Sequence, residues 1–200
     1  MKYIKLDPQT KNGAEISLAK EYLTAGKIVL LPSDTVYGLS VRADEARAIK
    51  KLRDFKGRPQ NKPLLILVSS FEMLKKYLVV SGAQEIYLKK VWQTKSRPTT
   101  VILEDKGFLP DNLNFSKDGL AVRLPKSDFL IKIIKGLGIP LVSTSANLHG
   151  LKPMGRISNL TASLGLKKPQ LIIAGGHDVK TRTSKLVDLR EYPQIKILRK

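Results

Sequence analysis

The chain has 200 residues, with 36 lysines and arginines against 17 aspartates and glutamates, which gives a formal net charge of +19. This surplus is typical of proteins that meet nucleic acids or nucleotides, although a lysine-rich coding bias produces it too. The absence of cysteine, with His149 and His177 as the only histidines, excludes disulfides, cysteine zinc sites and multi-histidine metal centres. Because the sequence has no membrane-length apolar run and no signal-peptide pattern, we expect a cytoplasmic protein without membrane partners.

Strand-like and helix-like patterns alternate along the chain without an internal repeat. Short apolar or alternating runs predict strands, and apolar residues spaced three and four apart predict helices. The predicted strands are 3–6, 28–31, 36–41, 64–68, 99–103, 120–124, 140–143, 171–174, 186–189 and 195–198, and the predicted helices are 12–25, 43–54, 71–78, 83–92 and 127–137.

Some neighbouring strands in this list have no helix between them, and others do. This arrangement favours one α/β domain over residues 1–200, with a twisted, mixed parallel and antiparallel sheet and flanking helices. Within the second helix, Ala46, Ile49 and Leu52 are predicted to face the core.

A basic segment, Lys56-Gly-Arg-Pro-Gln-Asn-Lys-Pro63, follows that helix. Its glycine and two prolines oppose helix formation and favour extended backbone, in which residues two apart point to the same side. We therefore predict that Lys56, Arg58 and Lys62 face one way and hold an anion. One cation–phosphate pair at about 4 Å contributes roughly 4 kcal/mol at an effective dielectric constant near 20. A solvated basic loop is the alternative, and the segment alone does not choose between the two.

Two hydroxyl-rich segments and one strand arginine are further candidates for a binding site. Pro32-Ser-Asp-Thr-Val-Tyr-Gly38 follows a predicted buried strand, where α/β sheets place binding loops, and it also fits an ordinary capped turn. Ser143-Thr-Ser-Ala-Asn147 offers donors for a phosphate or a ribose, or forms a simple hydroxyl turn. Arg123 lies in a predicted strand and needs a carboxylate, either from a ligand or from a surface acid.

Together these segments resemble the YrdC-like family, the threonylcarbamoyl-AMP synthases of tRNA modification. The matching segments, in the family's order, are Pro32-Ser-Asp-Thr-Val-Tyr-Gly-Leu39, Lys56-Gly-Arg-Pro59, Lys62-Pro-Leu64, Val122-Arg-Leu-Pro125 and Ser143-Thr-Ser-Ala-Asn-Leu-His-Gly150. They lie within a core of about residues 15–190. The family's Trp-Pro-Gly-Pro-x-Thr segment departs here: Trp92 and Thr100 are retained, and the glycine turn between them is not.

The resemblance implies that L-threonine, bicarbonate and ATP are converted into threonylcarbamoyl-AMP and pyrophosphate, for modification of the adenosine next to the anticodon of tRNA. It implies no catalytic nucleophile and no metal held by the protein, so Mg²⁺ would arrive with ATP. Lys56 and Arg58 would position the substrates and stabilise charge, and tRNA and other tRNA-modification proteins would be further partners. By the same resemblance, threonine would be bound by Thr35, Arg123 and Ser184. ATP would be bound by Lys56, Arg58, Lys62, Ser143, Ser145, Asn147 and Arg199.

Two other functions remain open on the sequence. One is an RNA-binding relative that does not make the intermediate, which the high positive charge favours. The other is a related carbamoyl-adenylate or hydrolytic enzyme.

Overall fold

A computed structural model describes residues 1–7, 9–59, 62–93, 97–115, 119–147, 157, 168–175 and 183–200. The strands in these ranges are β1 (Lys2–Lys5), β2 (Val29–Leu31), β3 (Gly38–Arg42), β4 (Leu65–Leu67), β5 (Thr99–Leu103), β6 (Leu120–Arg123), β7 (Leu141–Ser145), β8 (Leu171–Ala174), β9 (Lys185–Asp188) and β10 (Lys196–Arg199). The helices are α1 (Gly13–Thr24), α2 (Ala46–Lys56), α3 (Phe71–Tyr77), α4 (Gly82–Gln93) and α5 (Asp128–Leu137), with a 3₁₀ turn at Asp111–Leu113.

The strands form one ten-stranded sheet in the order β1-β8-β2-β3-β7-β4-β6-β5-β9-β10. The pairs β1–β8, β2–β8, β4–β6 and β5–β9 are parallel, and the other pairs are antiparallel. The predicted mixed sheet is therefore confirmed. No helix in the described ranges is both long enough and apolar enough to cross a membrane.

Helices cover both faces of the sheet, because successive strand residues point to opposite sides. In β2, Val29 and Leu31 pack in one apolar cluster and Leu30 in another. The first cluster receives the buried side chains of α1 and α5, and the second receives those of α2, α3 and α4. The resulting core holds the central strands β3, β7, β4 and β6 rigidly, and these strands carry much of the candidate site.

Helix α2 differs from the prediction in a way that matters for function. Ala46 begins the helix and is exposed, so the prediction that it faces the core is wrong, whereas Ile49 and Leu52 are buried as expected. The helix continues to Lys56, two residues beyond the predicted end. Gly57 then ends it with a left-handed φ of 63°, a conformation that glycine adopts readily. Lys56 is therefore fixed by a helix and not by a loop.

Candidate functional site

A polar cleft of about 150 Å³ opens where the ends of the central strands meet the segment before β9. Its lining is mainly hydroxyl groups and guanidinium groups. The lining residues are Ser33, Thr35, Val36, Gly38, Arg58, Leu65, Arg123, Ser143, Thr144, Ser145, Thr183, Ser184 and Arg199. Seven of the ten predicted site residues are in this set, and Lys56, Lys62 and Asn147 are not.

One wall of the cleft is built on a buried ion pair between Arg123 and Asp34. Arg123 Nη1 lies 2.6 Å from Asp34 Oδ1, and the two side chains are 6% and 8% exposed. The same guanidinium donates through Nη2 to Thr35 Oγ1 at 3.4 Å, and the second oxygen of Asp34 accepts from the backbone N–H of Lys126. Arg123 is thus neither on an edge strand nor paired with a surface acid. Its partner comes from the hydroxyl-rich segment after β2.

Ser33 organises that segment. Its hydroxyl accepts from the backbone N–H groups of Thr35 and Val36 at 3.1 and 3.2 Å, lies 3.0 Å from Thr35 Oγ1, and donates to the Val36 carbonyl. This hydrogen-bonded turn is one of the readings that the sequence left open. It also presents the Thr35 hydroxyl to Arg123, so the turn reading and the binding-site reading are compatible.

The opposite wall is formed by Ser184. Its hydroxyl lies 2.7 Å from Thr100 Oγ1 and accepts from Arg199 Nη2 at 3.2 Å, while Arg199 Nε donates to the Ser184 carbonyl at 3.0 Å. Burial lowers the pKa of Arg199, and the positive charges of Arg97 and Arg123 lower it further. Arg199 therefore reaches from the last strand to the cleft, where its charge lies close to other cations.

Lys56 lies behind β7, and its hydrogen-bond partners among the described residues are uncharged oxygens. Its ammonium donates to Thr144 Oγ1 at 2.9 Å, to Ser145 Oγ at 3.1 Å, to the Ser145 carbonyl and to Asn147 Oδ1 at 3.4 Å. The residue is 4% exposed. Burial, with a smaller repulsion from Arg58, lowers the pKa of Lys56 from its ordinary 10.5 to about 7. Lys56 and Asn147 thus support the hydroxyl strand of the cleft from its rear.

Arg58 enters the cleft from the segment after α2. Its Nη2 donates to the Pro63 carbonyl at 2.7 Å and its Nε to the Lys62 carbonyl at 3.3 Å. Burial lowers its pKa, with a further contribution from the charge of Arg53. Lys62 is exposed and does not line the cleft. The prediction that Lys56, Arg58 and Lys62 face one way is wrong, because the helix ends between the first two and turns Lys56 towards β7.

Gly38 permits the close approach of β3 to β7. A Cβ atom at this position would lie 2.4 Å from Ser143 Oγ, which no side chain tolerates without movement. Ser143, Thr144 and Ser145 belong to β7, so the predicted loop is largely strand. The pairing of Gly38 with Ser145 and of Ser40 with Ser143 fixes these hydroxyls in register.

Comparisons with known proteins identify the family. Residues 21–200 match the family of Sua5, YciO and YrdC proteins, which carries the description "Telomere recombination". The chain belongs to this family. It is 31% identical over 182 residues to the threonylcarbamoyl-AMP synthase of Pyrococcus abyssi, covering 90% of this chain and 52% of that protein. It is 28% identical over 157 residues to the threonylcarbamoyl-AMP synthase of Shigella flexneri, covering 78% of this chain and 83% of that protein.

A solved Sua5/YciO/YrdC structure, P. abyssi Sua5 complexed with L-threonine, superposes on this chain with a TM-score of 0.89 at 28% identity. The match covers all of this chain and 57% of the Sua5 chain. This chain therefore spans little more than half the length of the two Pyrococcus matches.

Two residues of this family member gained importance only from the structure. Asp34 belongs to the hydroxyl-rich segment 32–38, and its two carboxylate oxygens accept from Arg123 and from the Lys126 N–H. Arg53 is 5% exposed and was not singled out. A sequence signal for it existed: Arg53 follows Ile49 by four residues, so it lies on the apolar face of α2, where a charge must find partners.

Among the described residues, no group of three histidine, cysteine, aspartate or glutamate side chains is placed to hold a metal ion. Asp34, the carboxylate at the cleft wall, is neutralised by Arg123. Both histidines and residues 148–150 of the last matching family segment lie outside the described residues.

Proposed function

We propose that this chain synthesises threonylcarbamoyl-AMP from L-threonine, bicarbonate and ATP, with release of pyrophosphate. The observation that carries the proposal is a single cleft lined by Thr35, Arg123 and Ser184 together with Arg58 and Arg199. An amino-acid site and a polyphosphate site would then share one space. The relatives named threonylcarbamoyl-AMP synthase and the Sua5 complex with L-threonine support this assignment.

The threonine end of the cleft is the part built on Arg123. A guanidinium held in place by a buried carboxylate is suited to receive a second carboxylate, because its planar donors match that geometry. The hydroxyl of threonine would meet the hydroxyls of Thr35 and Ser184. A site that hydrogen-bonds a substrate hydroxyl rejects analogues that lack it, since its own buried polar groups would be left unpaired.

The ATP end is the part that contains Arg58, Arg199 and the hydroxyls of Ser143 and Ser145. These cations make their described contacts with carbonyls and hydroxyls, so their charges are not neutralised by carboxylates. A triphosphate would supply the missing negative charge. Mg²⁺ would enter as part of the substrate, bound mainly by the phosphate oxygens.

The chemistry requires positioning and charge stabilisation, with no protein nucleophile. The threonine amine attacks the carbon of bicarbonate, and loss of water leaves a carbamate. A carbamate oxygen then attacks the α-phosphorus of ATP, and the bond to the leaving pyrophosphate breaks. Holding three reactants together removes most of the entropic barrier, and Arg58 and Arg199 would stabilise the charge that develops on the phosphate oxygens.

The product would be consumed by the enzymes that form threonylcarbamoyladenosine next to the anticodon of tRNA. We therefore place the reaction in the cytoplasm, with tRNA and other tRNA-modification proteins as further partners. The net charge of +19 is compatible with an RNA partner.

The first test is pyrophosphate release in the presence of each combination of the three substrates. We expect release only when ATP, threonine and bicarbonate are all present, and the adenylate should be detected by mass spectrometry. Release without threonine would refute the proposal. Tight, salt-sensitive tRNA binding without any turnover would instead favour the non-catalytic alternative.

The second test removes a single cation from the cleft. Arg58→Ala should weaken ATP binding by at least tenfold, the effect expected for a charge-assisted contact, and leave threonine binding unchanged. Arg47→Ala is the matched control, because Arg47 is an exposed arginine of the adjoining helix α2 and does not line the cleft. Equal ATP affinities of the two variants would remove Arg58 from the site.

A further inference from the structure

Arg53 is buried, and in the described part of the chain its guanidinium donates hydrogen bonds to backbone carbonyls. Its Nε donates to Asn112 O at 2.8 Å, its Nη1 to Pro59 O at 3.1 Å and Lys62 O at 3.0 Å, and its Nη2 to Leu113 O at 3.0 Å. Within the described residues, no carboxylate forms a salt bridge with it. Burial lowers the pKa of Arg53. The Arg53 guanidinium therefore connects three backbone sites, at Pro59, at Lys62 and at Asn112–Leu113.

One of these carbonyls, that of Lys62, also contacts Arg58. The backbone N–H of Lys62 donates to Pro59 O at 3.2 Å, and Arg53 Nη1 donates to the carbonyls of both residues. The Lys62 carbonyl accepts from Arg58 Nε as well. Arg53 and Arg58 therefore share one acceptor, with Arg58 on the cleft side.

We infer that Arg53 is a positioning residue for the proposed nucleotide site: it holds the backbone at Pro59 and Lys62, and the Lys62 carbonyl in turn orients the Arg58 guanidinium towards the anion. The inference rests on the proposed function for the identity of that anion, ATP. If this position on the inner face of α2 only had to fill space, an apolar residue would be sufficient. The arginine instead satisfies four carbonyls with one rigid, planar group, which a shorter or single-headed side chain does not do.

The inference predicts that Arg53 acts on ATP only through Arg58. Arg53→Met, which keeps an unbranched apolar side chain in place of the aliphatic stem and removes the donors, should weaken ATP binding about tenfold, within the range of coupling between contacting residues. In an Arg58→Ala background the same substitution should change ATP affinity by less than about twofold. Threonine affinity should be unchanged throughout, because the residues of the threonine end do not contact Arg53.

Calorimetric titrations with MgATP and with L-threonine should be made on the wild type, both single variants and the double variant. Arg47→Met is the control for loss of an arginine from α2. Additive effects of the two substitutions on ATP binding would overturn the inference, as would an unchanged ATP affinity of Arg53→Met or a parallel loss of threonine binding. A general loss of stability would produce the last of these patterns.

Amide hydrogen exchange gives a readout that does not depend on ATP. Leu64 N–H donates to Leu113 O, so Lys62 and Leu64 amides both bond to carbonyls that Arg53 holds. Their exchange should accelerate in Arg53→Met and not in Arg47→Met, and unchanged rates would overturn the inference. If the wild type binds no ATP, the proposed function fails, and the exchange rates still decide whether Arg53 holds the backbone at Pro59 and Lys62. If Arg53→Met does not fold, Arg53→Lys replaces it; unfolding of both would assign Arg53 to folding alone.

Discussion

The buried ammonium of Lys56 gives a quantitative prediction about pH. Its pKa is about 7 in the folded protein and close to 10.5 when it is exposed to water. Between these two values the unfolded chain binds more protons at this position than the folded chain does. Folding stability must therefore increase as the pH rises from about 7 towards 10.5, and the unfavourable burial of the charge acts in full below about pH 7.

The size of the effect follows from linkage. One proton released on folding changes the free energy of unfolding by about 1.4 kcal/mol per pH unit, so a rise of about two pH units above 7.5 should stabilise the protein by roughly 2 kcal/mol. Lys56→Met removes this proton and leaves the other lysines and the tyrosines in place. The difference between wild type and variant therefore isolates the contribution of Lys56.

Urea unfolding of both proteins at several pH values between about 7 and 10 measures the difference directly. We expect the stability of the wild type relative to Lys56→Met to rise with pH at close to the limiting slope. Curves that stay parallel over this range would show that Lys56 titrates as it does in water. The contacts of its ammonium with Thr144, Ser145 and Asn147 would then not hold it in a buried environment.

Three further substitutions test other parts of the cleft. Asp34→Asn should destabilise the protein by about 3 kcal/mol in urea unfolding, because it leaves the Arg123 guanidinium buried without its counter-charge, and a loss under about 1 kcal/mol would contradict this. Gly38→Ala should destabilise by about 1–3 kcal/mol and raise the KM for ATP, since the new methyl displaces Ser143; wild-type KM and stability would contradict the close approach. Ser184→Ala should weaken threonine binding about fivefold in calorimetric titration, the loss of one neutral hydrogen bond. An unaltered threonine affinity would remove Ser184 from the threonine end.

The features that could be predicted from the sequence are those set by local pattern. The strand Thr99–Leu103 and the strand Leu171–Ala174 have the predicted bounds, because β-branched or continuously apolar runs have few alternatives. The cap of α5 was also predictable: Ser127 accepts from the Leu130 N–H, and Gly138 ends the helix. The family segments similarly indicated most residues that line the cleft.

The predictions that were wrong or incomplete concern side chains whose positions are set by contacts between residues far apart in the sequence. The direction of Lys56 depends on β7, which lies about ninety residues later in the chain. Asp34 could not be separated from the ligand-binding groups for the same reason, since its partner Arg123 is 89 residues away. The end of α2 at Lys56 did have a local signal, because Gly57 adopts the left-handed conformation that commonly ends a helix.

The positive charges that line the cleft lower the stability of the folded protein. Arg58, Arg123 and Arg199 line one space, and only Arg123 has a carboxylate partner among the described contacts. Burial and the charge of Arg53 lower the pKa of Arg58, and burial and the charges of Arg97 and Arg123 lower the pKa of Arg199, so repulsion from neighbouring arginines opposes folding. Hydrogen bonds to carbonyl oxygens hold the guanidinium groups in place despite this charge repulsion. An anion that enters the cleft relieves this repulsion, and the relief becomes part of its binding free energy. Any ligand at a hundred times its Kd stabilises the folded state by about 2.7 kcal/mol, so the proposed substrate ATP should raise the stability of the protein by this amount at that concentration.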